Sequence, residues 1–157
     1  MRLKDRVAVV TGGGGGIGSG ISMCLAREGA DIVVADINLA SAQKRAKEIE
    51  KTGRRARVFE SDITREEQCK ALVEEALNAF GQIDILVNNA GHFGERLGMP
   101  FTNQEGADWD DNYAVNVKGP FFLCKAAAGP MMERRYGKIV NISSIAAKRD
   151  AQILPDY

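Results

Sequence analysis

The chain has 157 residues, 45% of them hydrophobic and 27% charged, and its 21 Lys and Arg balance 21 Asp and Glu for a formal net charge of zero. This mixture fits one soluble globular domain with a core of its own and offers no charge excess for nucleic acid or a membrane surface. No stretch approaches the ~20 apolar residues of a membrane span, and the N-terminal apolar run is too short for a signal-peptide core, so a cytoplasmic protein is expected.

Short β-branched apolar runs alternate with helical patterns almost to the C-terminus. Residues 7–10 predict a buried strand, and a run of five glycines, 12–16, follows it. A helix is expected over 17–28, with Ile21, Cys24, Leu25 and Glu28 at helical spacing and Gly29 as its stop. A second strand is expected at 32–35, then a helix over 41–51 with Ala42, Ala46 and Ile49 on one stripe, then a short strand at 57–59. The helix over 65–80 carries Cys69, Leu72, Val73, Ala76, Leu77 and Phe80 on one face. Thr64 and Glu67 have the spacing of a capping box ahead of it, and Gly81 closes it. A fourth strand, 83–87, leads through a loop at 89–104 to a helical region over 107–134. Gly119-Pro120 and Gly129-Pro130 predict a bend or a break there, because proline lacks an N–H and crowds the preceding turn. A fifth strand is expected at 138–142. Apolar strands separated by helices predict a parallel sheet buried on both faces. Right-handed crossovers make it a doubly wound α/β sheet of five strands in the order 3-2-1-4-5.

The glycine run lies between the first strand and the first helix as Thr11-Gly12-Gly13-Gly14-Gly15-Gly16-Ile17-Gly18. A phosphate-bearing ligand needs backbone N–H groups at close range and the positive end of a helix dipole. Gly12 suits the tight turn, Gly16 the close approach of phosphates, and Gly18 the packing of helix on strand. No Lys-Ser/Thr pair follows the glycines, which disfavours a P-loop nucleotidase. Asp36 ends the second strand, where a carboxylate accepts from both hydroxyls of an adenosine ribose and repels a 2′-phosphate. Neither Ile37 nor the glycine run offers a basic residue for that phosphate, so NAD is expected over NADP. Cys24, Cys69 and Cys124 are far apart, and His92 is the single histidine. With no CxxC, HExxH or GxSxG, the sequence predicts buried or part-buried free thiols, no metal site and no serine-hydrolase triad.

From these residues the chain resembles the short-chain dehydrogenase/reductase family, a Rossmann-fold group, in its compact TGxxxGxG form. Thr11 through Gly18 is similar to the family's cofactor fingerprint, and Asn88-Asn89-Ala90-Gly91 is similar to its NNAG motif. Asp62-Ile63 stands where the family contacts the adenine ring. Asn116 stands where it keeps a helix asparagine that holds a water for proton relay. Tyr157 lies thirteen residues beyond Ser144, the family's serine-to-tyrosine spacing, which selects Ser144 over Ser143. The resemblance implies hydride transfer between NAD and a secondary alcohol or ketone, with 3-oxoacyl compounds and small alcohols as candidates. Tyr157 is the implied general acid/base and Ser144 the group that orients the substrate oxygen. Asn88, Ala90 and Gly91 are implied to border the cofactor path beside Gly12, Gly16, Ile17 and Gly18. A homo-oligomer of the complete protein is implied as well.

One departure matters. The family keeps a lysine four residues after the tyrosine, and this chain stops at Tyr157. A free tyrosine titrates near 10, and that lysine helps to lower it. The 157 residues are therefore expected to be a single dinucleotide-binding domain, the N-terminal part of a longer protein, with little or no dehydrogenase activity alone. The outer edge of the fifth strand is expected to lack a partner. A catalytically incomplete nucleotide-binding module is the alternative reading. A methyltransferase using S-adenosylmethionine is a third, against which the spacing of Ser144 and Tyr157 argues. Residues 92–104 and 146–156 are expected to border the substrate pocket.

Overall fold

The computed structural model describes residues 1–92 and 100–145. Its elements in chain order are β1 (Val7–Thr11), α1 (Gly16–Arg27), β2 (Asp31–Asp36), α2 (Leu39–Glu50), β3 (Ala56–Glu60), α3 (Glu66–Phe80), β4 (Ile85–Asn88), α4 (Gly106–Tyr113), α5 (Gly119–Glu133) and β5 (Lys138–Asn141). The strands form one parallel sheet in the order β3-β2-β1-β4-β5, the expected Rossmann arrangement.

Every residue of β1 and β4 is buried, yet the two-residue period of a strand still divides them between two cores. Val9, Val33 and Leu86 face α3 and α5 and pack with Leu72, Val73, Leu123 and Ala127. Ala8, Val10, Ile32, Val34 and Val87 face the other way, onto Ala26, Ala42 and Ile49 of α1 and α2. Each such Val, Leu or Ile contributes about 1.5–3 kcal/mol by leaving water, so these two layers dominate the fold. β5 departs from the expectation of a sheet buried on both faces. All four of its residues are exposed, and among the described residues it pairs with β4 alone.

Three local expectations are corrected. The buried face of α1 is Gly18, Ser22 and Ala26, and Cys24 is exposed. A β-carbon at Gly18 would fall on the Gly12 carbonyl oxygen, so α1 approaches β1 too closely for the larger residues to lead. Thr64 does not cap α3. Its N–H and hydroxyl both donate to Asp62 Oδ1, at 3.0 and 2.7 Å, and the N-cap is Arg65 with no side-chain cap. Thr64 stands one residue ahead of the N-cap position, and its N–H and hydroxyl close a turn back onto Asp62 instead. Of the bend or break expected at Gly129-Pro130, the break is absent: α5 continues to Glu133, with Leu123, Ala127 and Met131 buried. At Gly119-Pro120 the disturbance becomes a wide π-helical turn, Ala114–Lys118, in which the Gly119 N–H reaches back to the Ala114 carbonyl. Pro120 is the second residue of α5, so its missing N–H falls at the junction with the π turn.

The N-terminal edge of the sheet is closed by arginines. Buried Asp84 accepts from Arg6 and Arg134 at 3.1 Å each, and from Gln82 and the Val7 N–H at 2.6 and 2.9 Å. Asp31 accepts from Arg54 at 2.6 Å, the Arg55 N–H at 3.0 Å and Arg55 Nε at 2.8 Å. Burial pushes the Asp31 carboxyl up, but hydrogen bonds from Arg55 and the charge of Arg54 outweigh it and hold the group below its ordinary value. No helix among the described residues is long and apolar enough to cross a membrane.

Candidate functional site

In this strand order the chain leaves β1 toward one side of the sheet and β4 toward the other, and a crevice opens at the C-terminal ends between them. A cleft of about 1100 Å³ lies there. Its walls come from the glycine loop, the ends of β2 and β3, residues 88–92, the π turn and the chain beyond β5.

Thr11 and Asn89, which lie in the two motifs but carry no assigned role in the sequence, lace the crevice together. The Thr11 hydroxyl accepts from the N–H groups of Asn89 and Ala90 at 3.1 Å each and lies 3.4 Å from the Val87 carbonyl, to which it donates. The Asn89 amide donates to the carbonyls of Thr11 and Gly12 at 2.9 and 3.3 Å. The visible signal was a threonine before the first glycine and a second asparagine after Asn88. Gly12 and Gly16 adopt φ of 59° and 48°, backbone that favours glycine. A β-carbon at Gly15 or Gly16 would meet nothing within 4 Å. The start of α1 is therefore bare: its N-cap Gly15 makes no side-chain cap, and its first turn holds no acidic residue. The first N–H groups of a helix lack partners within it, and no acidic residue of that turn offsets the helix dipole. Exposed Ile17 stands at the rim.

Beside the loop, Asp36 Oδ2 accepts from the Gly14 N–H at 3.0 Å and Oδ1 from the Asn38 N–H at 2.9 Å. A carboxylate has about four acceptor sites, so two remain for a ligand. Asp62 is similar in kind: both of its donors, from Thr64, fall on Oδ1. The Ile63 side chain is buried in the core against Gly119, and its carbonyl accepts from the Cys69 thiol at 3.3 Å. Burial, with Asp62, Glu66 and Glu67 nearby, pushes that thiol up to about 11.

At the other end of the cleft, the buried Asn88 amide donates to Asn141 Oδ1 at 2.7 Å and reaches Cys124 Sγ at 3.4 Å, joining β4 to β5. Ala90 and Gly91 line the cleft just beyond. Asn116 is committed to the backbone of His92: its Oδ1 accepts from the His92 N–H at 2.8 Å, and its Nδ2 donates to the His92 carbonyl at 2.6 Å. Half-buried Ser144 and exposed Ser143 line the same cleft beyond β5. Tyr157 and residues 146–156 lie outside the described residues. The structure thus brings the glycine loop, Asp36, Asp62, Asn88, Ala90, Gly91, Asn116 and Ser144 to one crevice.

Known proteins share this arrangement. A family model described as short chain dehydrogenase matches residues 6–157. The chain is 37% identical over 158 residues to a galactitol 2-dehydrogenase of Agrobacterium fabrum, covering 100% of this chain and 59% of that protein. A crystal structure of an NAD+-bound xylitol dehydrogenase superposes with a TM-score of 0.95 at 32% identity, covering 100% of this chain and 60% of the other. A 7α-hydroxysteroid dehydrogenase complexed with NADH and 7-oxo glycochenodeoxycholic acid gives 0.93 at 37% identity, over 99% and 60% of the two chains. The chain thus spans about 60% of the length of these relatives. Fold, motif order and similarity agree, and the chain belongs to the short-chain dehydrogenase family.

Proposed function

We propose that these residues form the dinucleotide-binding part of an NAD-dependent oxidoreductase that interconverts a secondary alcohol and a ketone. One observation carries the reading: the bare N-terminus of α1 and the Asp36 carboxylate, with no cation beside it among the described residues, open on the same cleft. The open faces of Gly15 and Gly16 suit a pyrophosphate at close range, with Gly12, Ile17 and Gly18 shaping the loop. The two spare acceptor sites of Asp36 suit the ribose hydroxyls, and its charge disfavours a 2′-phosphate, hence NAD rather than NADP. Asp62 Oδ2 and the backbone edge at Ile63 suit the adenine, while Asn88, Ala90 and Gly91 border the nicotinamide half.

The nicotinamide, when bound, supplies the hydride chemistry. Ser144 hydrogen-bonds the substrate oxygen and Tyr157 moves a proton to or from it. The amide of Asn116 is engaged with His92, so its share of a proton relay falls to the backbone. Pro120 brings no N–H to the π turn, which deprives a carbonyl at Val115 or Asn116 of its helical donor and suits it to hold a water. Relatives named for xylitol and galactitol support a hydroxylated small molecule as substrate. Trp109, Tyr113, Val117 and Phe121 form an exposed apolar stripe along α4, the π turn and α5, which supports association of the full protein with copies of itself.

Calorimetric titration of the full protein tests the reading. NAD binds at least about tenfold more tightly than NADP, a difference of roughly 1.4 kcal/mol; no heat with either overturns it. Tyr157→Phe lowers turnover by roughly 10²–10⁴-fold, the usual range for a lost acid/base group, with NAD affinity nearly unchanged. Wild-type turnover in that variant removes Tyr157 from the mechanism.

A further inference from the structure

Phosphate approach does not explain the smallness of Gly14, whose neighbours are the protein's own atoms. A β-carbon on it would stand 2.7 Å from the Ala42 nitrogen, 2.8 Å from the Ser41 carbonyl carbon and 3.0 Å from Asp36 Oδ2. The middle of the loop is therefore clamped between the end of β2 and the first turn of α2. The clamp is a chain of hydrogen bonds. The Gly14 N–H donates to Asp36 Oδ2 at 3.0 Å, the Asn38 N–H donates to Asp36 Oδ1 at 2.9 Å, and the Ser41 N–H donates to Asn38 Oδ1 at 3.0 Å, capping α2. The adjacent Gly13 N–H donates to the Ala35 carbonyl at 3.0 Å, one residue before Asp36. Gly15 and Gly16, by contrast, have open space where a side chain would stand, so Gly14 is held on the Asp36 side.

We propose that Asp36 is a positioning residue for the phosphate loop as well as a reader of the ribose. Its carboxylate shapes the loop before ligand arrives and couples the sugar subsite to the pyrophosphate subsite. The ligand in this inference rests on the dinucleotide reading above; the positioning rests on the hydrogen bonds. Removing the side chain therefore does not simply exchange NAD for NADP, because it also releases Gly14 and weakens the grip on any pyrophosphate.

Two neutral variants of the full protein separate these roles, since Asp36→Asn and Asp36→Ala lose the same charge. Asn retains one acceptor oxygen. It turns that oxygen to the part-buried Gly14 N–H, because water can serve the exposed Asn38 N–H. The first readout is amide hydrogen exchange at Gly14 without ligand. The second is binding of inorganic pyrophosphate, which has no sugar to read. Gly14 exchanges about tenfold faster in Asp36→Ala than in Asp36→Asn, and pyrophosphate binds about tenfold more weakly, the scale of one hydrogen bond to a part-buried donor. Equal exchange and equal pyrophosphate affinity in the two variants overturn the proposal. If wild type gives no heat with NAD while the two variants still differ at Gly14, the dinucleotide reading fails and the positioning role stands.

Discussion

Asp31 and Asp36 begin and end the same strand, β2, and their surroundings differ in kind. Asp31 is buried and filled by the guanidinium groups of Arg54 and Arg55. Asp36 is held by two backbone N–H groups and keeps acceptor sites to spare. The contrast repeats elsewhere in the same sheet, where Asp84 below β4 takes two arginines and Asp62 beyond β3 takes, among the described residues, the N–H and hydroxyl of Thr64. A parallel sheet sorts its two edges this way. Helices end at the N-terminal edge of the strands, and cations are favoured at helix C-termini. Arg134 caps the end of α5 there, and Arg54 and Arg55 follow α2. Helices begin at the opposite edge, where N–H groups do the holding. A planar guanidinium saturates a carboxylate, whereas an amide satisfies one lone pair and leaves others for a ligand. One edge locks the fold and the other is left able to recognise.

The sharpest way to break this comparison is at the closed edge. Asp84→Ala strands two arginines and the Val7 N–H, and costs about 3 kcal/mol, the low end for a broken buried pair because both arginines are partly exposed. Denaturant unfolding measures it, and a wild-type midpoint denies Asp84 its locking role. At the open edge, Gly18→Ala drives a methyl group onto the Gly12 carbonyl. It costs about 2 kcal/mol of stability and displaces the loop, so NAD titration of the folded variant shows a clear loss of affinity.

Asp31→Asn removes charge-assisted bonds and costs between about 1 and 2 kcal/mol at neutral pH. Because the folded Asp31 carboxyl lies below its unfolded value, its stabilisation is present above the ordinary carboxylate range and is lost as pH falls through the folded value. The variant's stability therefore falls less steeply with acid than that of wild type, and parallel acid limbs contradict the assignment. The smallest effect belongs to Asn38→Ala, which removes the α2 cap and lowers the unfolding midpoint by the equivalent of about 1 kcal/mol.

Apolar runs, glycine stops and the placement of the glycine run between strand and helix were readable along the chain, because each depends on neighbours a few residues away. The corrected elements depend on distant ones. Cys24 lies on a helix whose burial is decided by the contact of Gly18 with Gly12, and the exposure of β5 turns on what packs against its faces, which its own four residues do not encode. Thr11 and Asn89 belong to motifs visible in the sequence, but their bonds span more than seventy residues and only the fold pairs them.

By itself the order of residues determined a five-stranded parallel sheet, the bare start of α1 beside a carboxylate, and membership in a family whose motifs occur in the right sequence. Only the tertiary structure decided which carboxylates are neutralised, that the Asn116 amide binds the backbone of His92, and that Asp36 grips the middle of the glycine run. The physical reason is reach. Periodicity and turn chemistry act within a helical turn, whereas the partner of a buried or part-buried polar group is whatever the packed sheet carries to within about 3 Å of it.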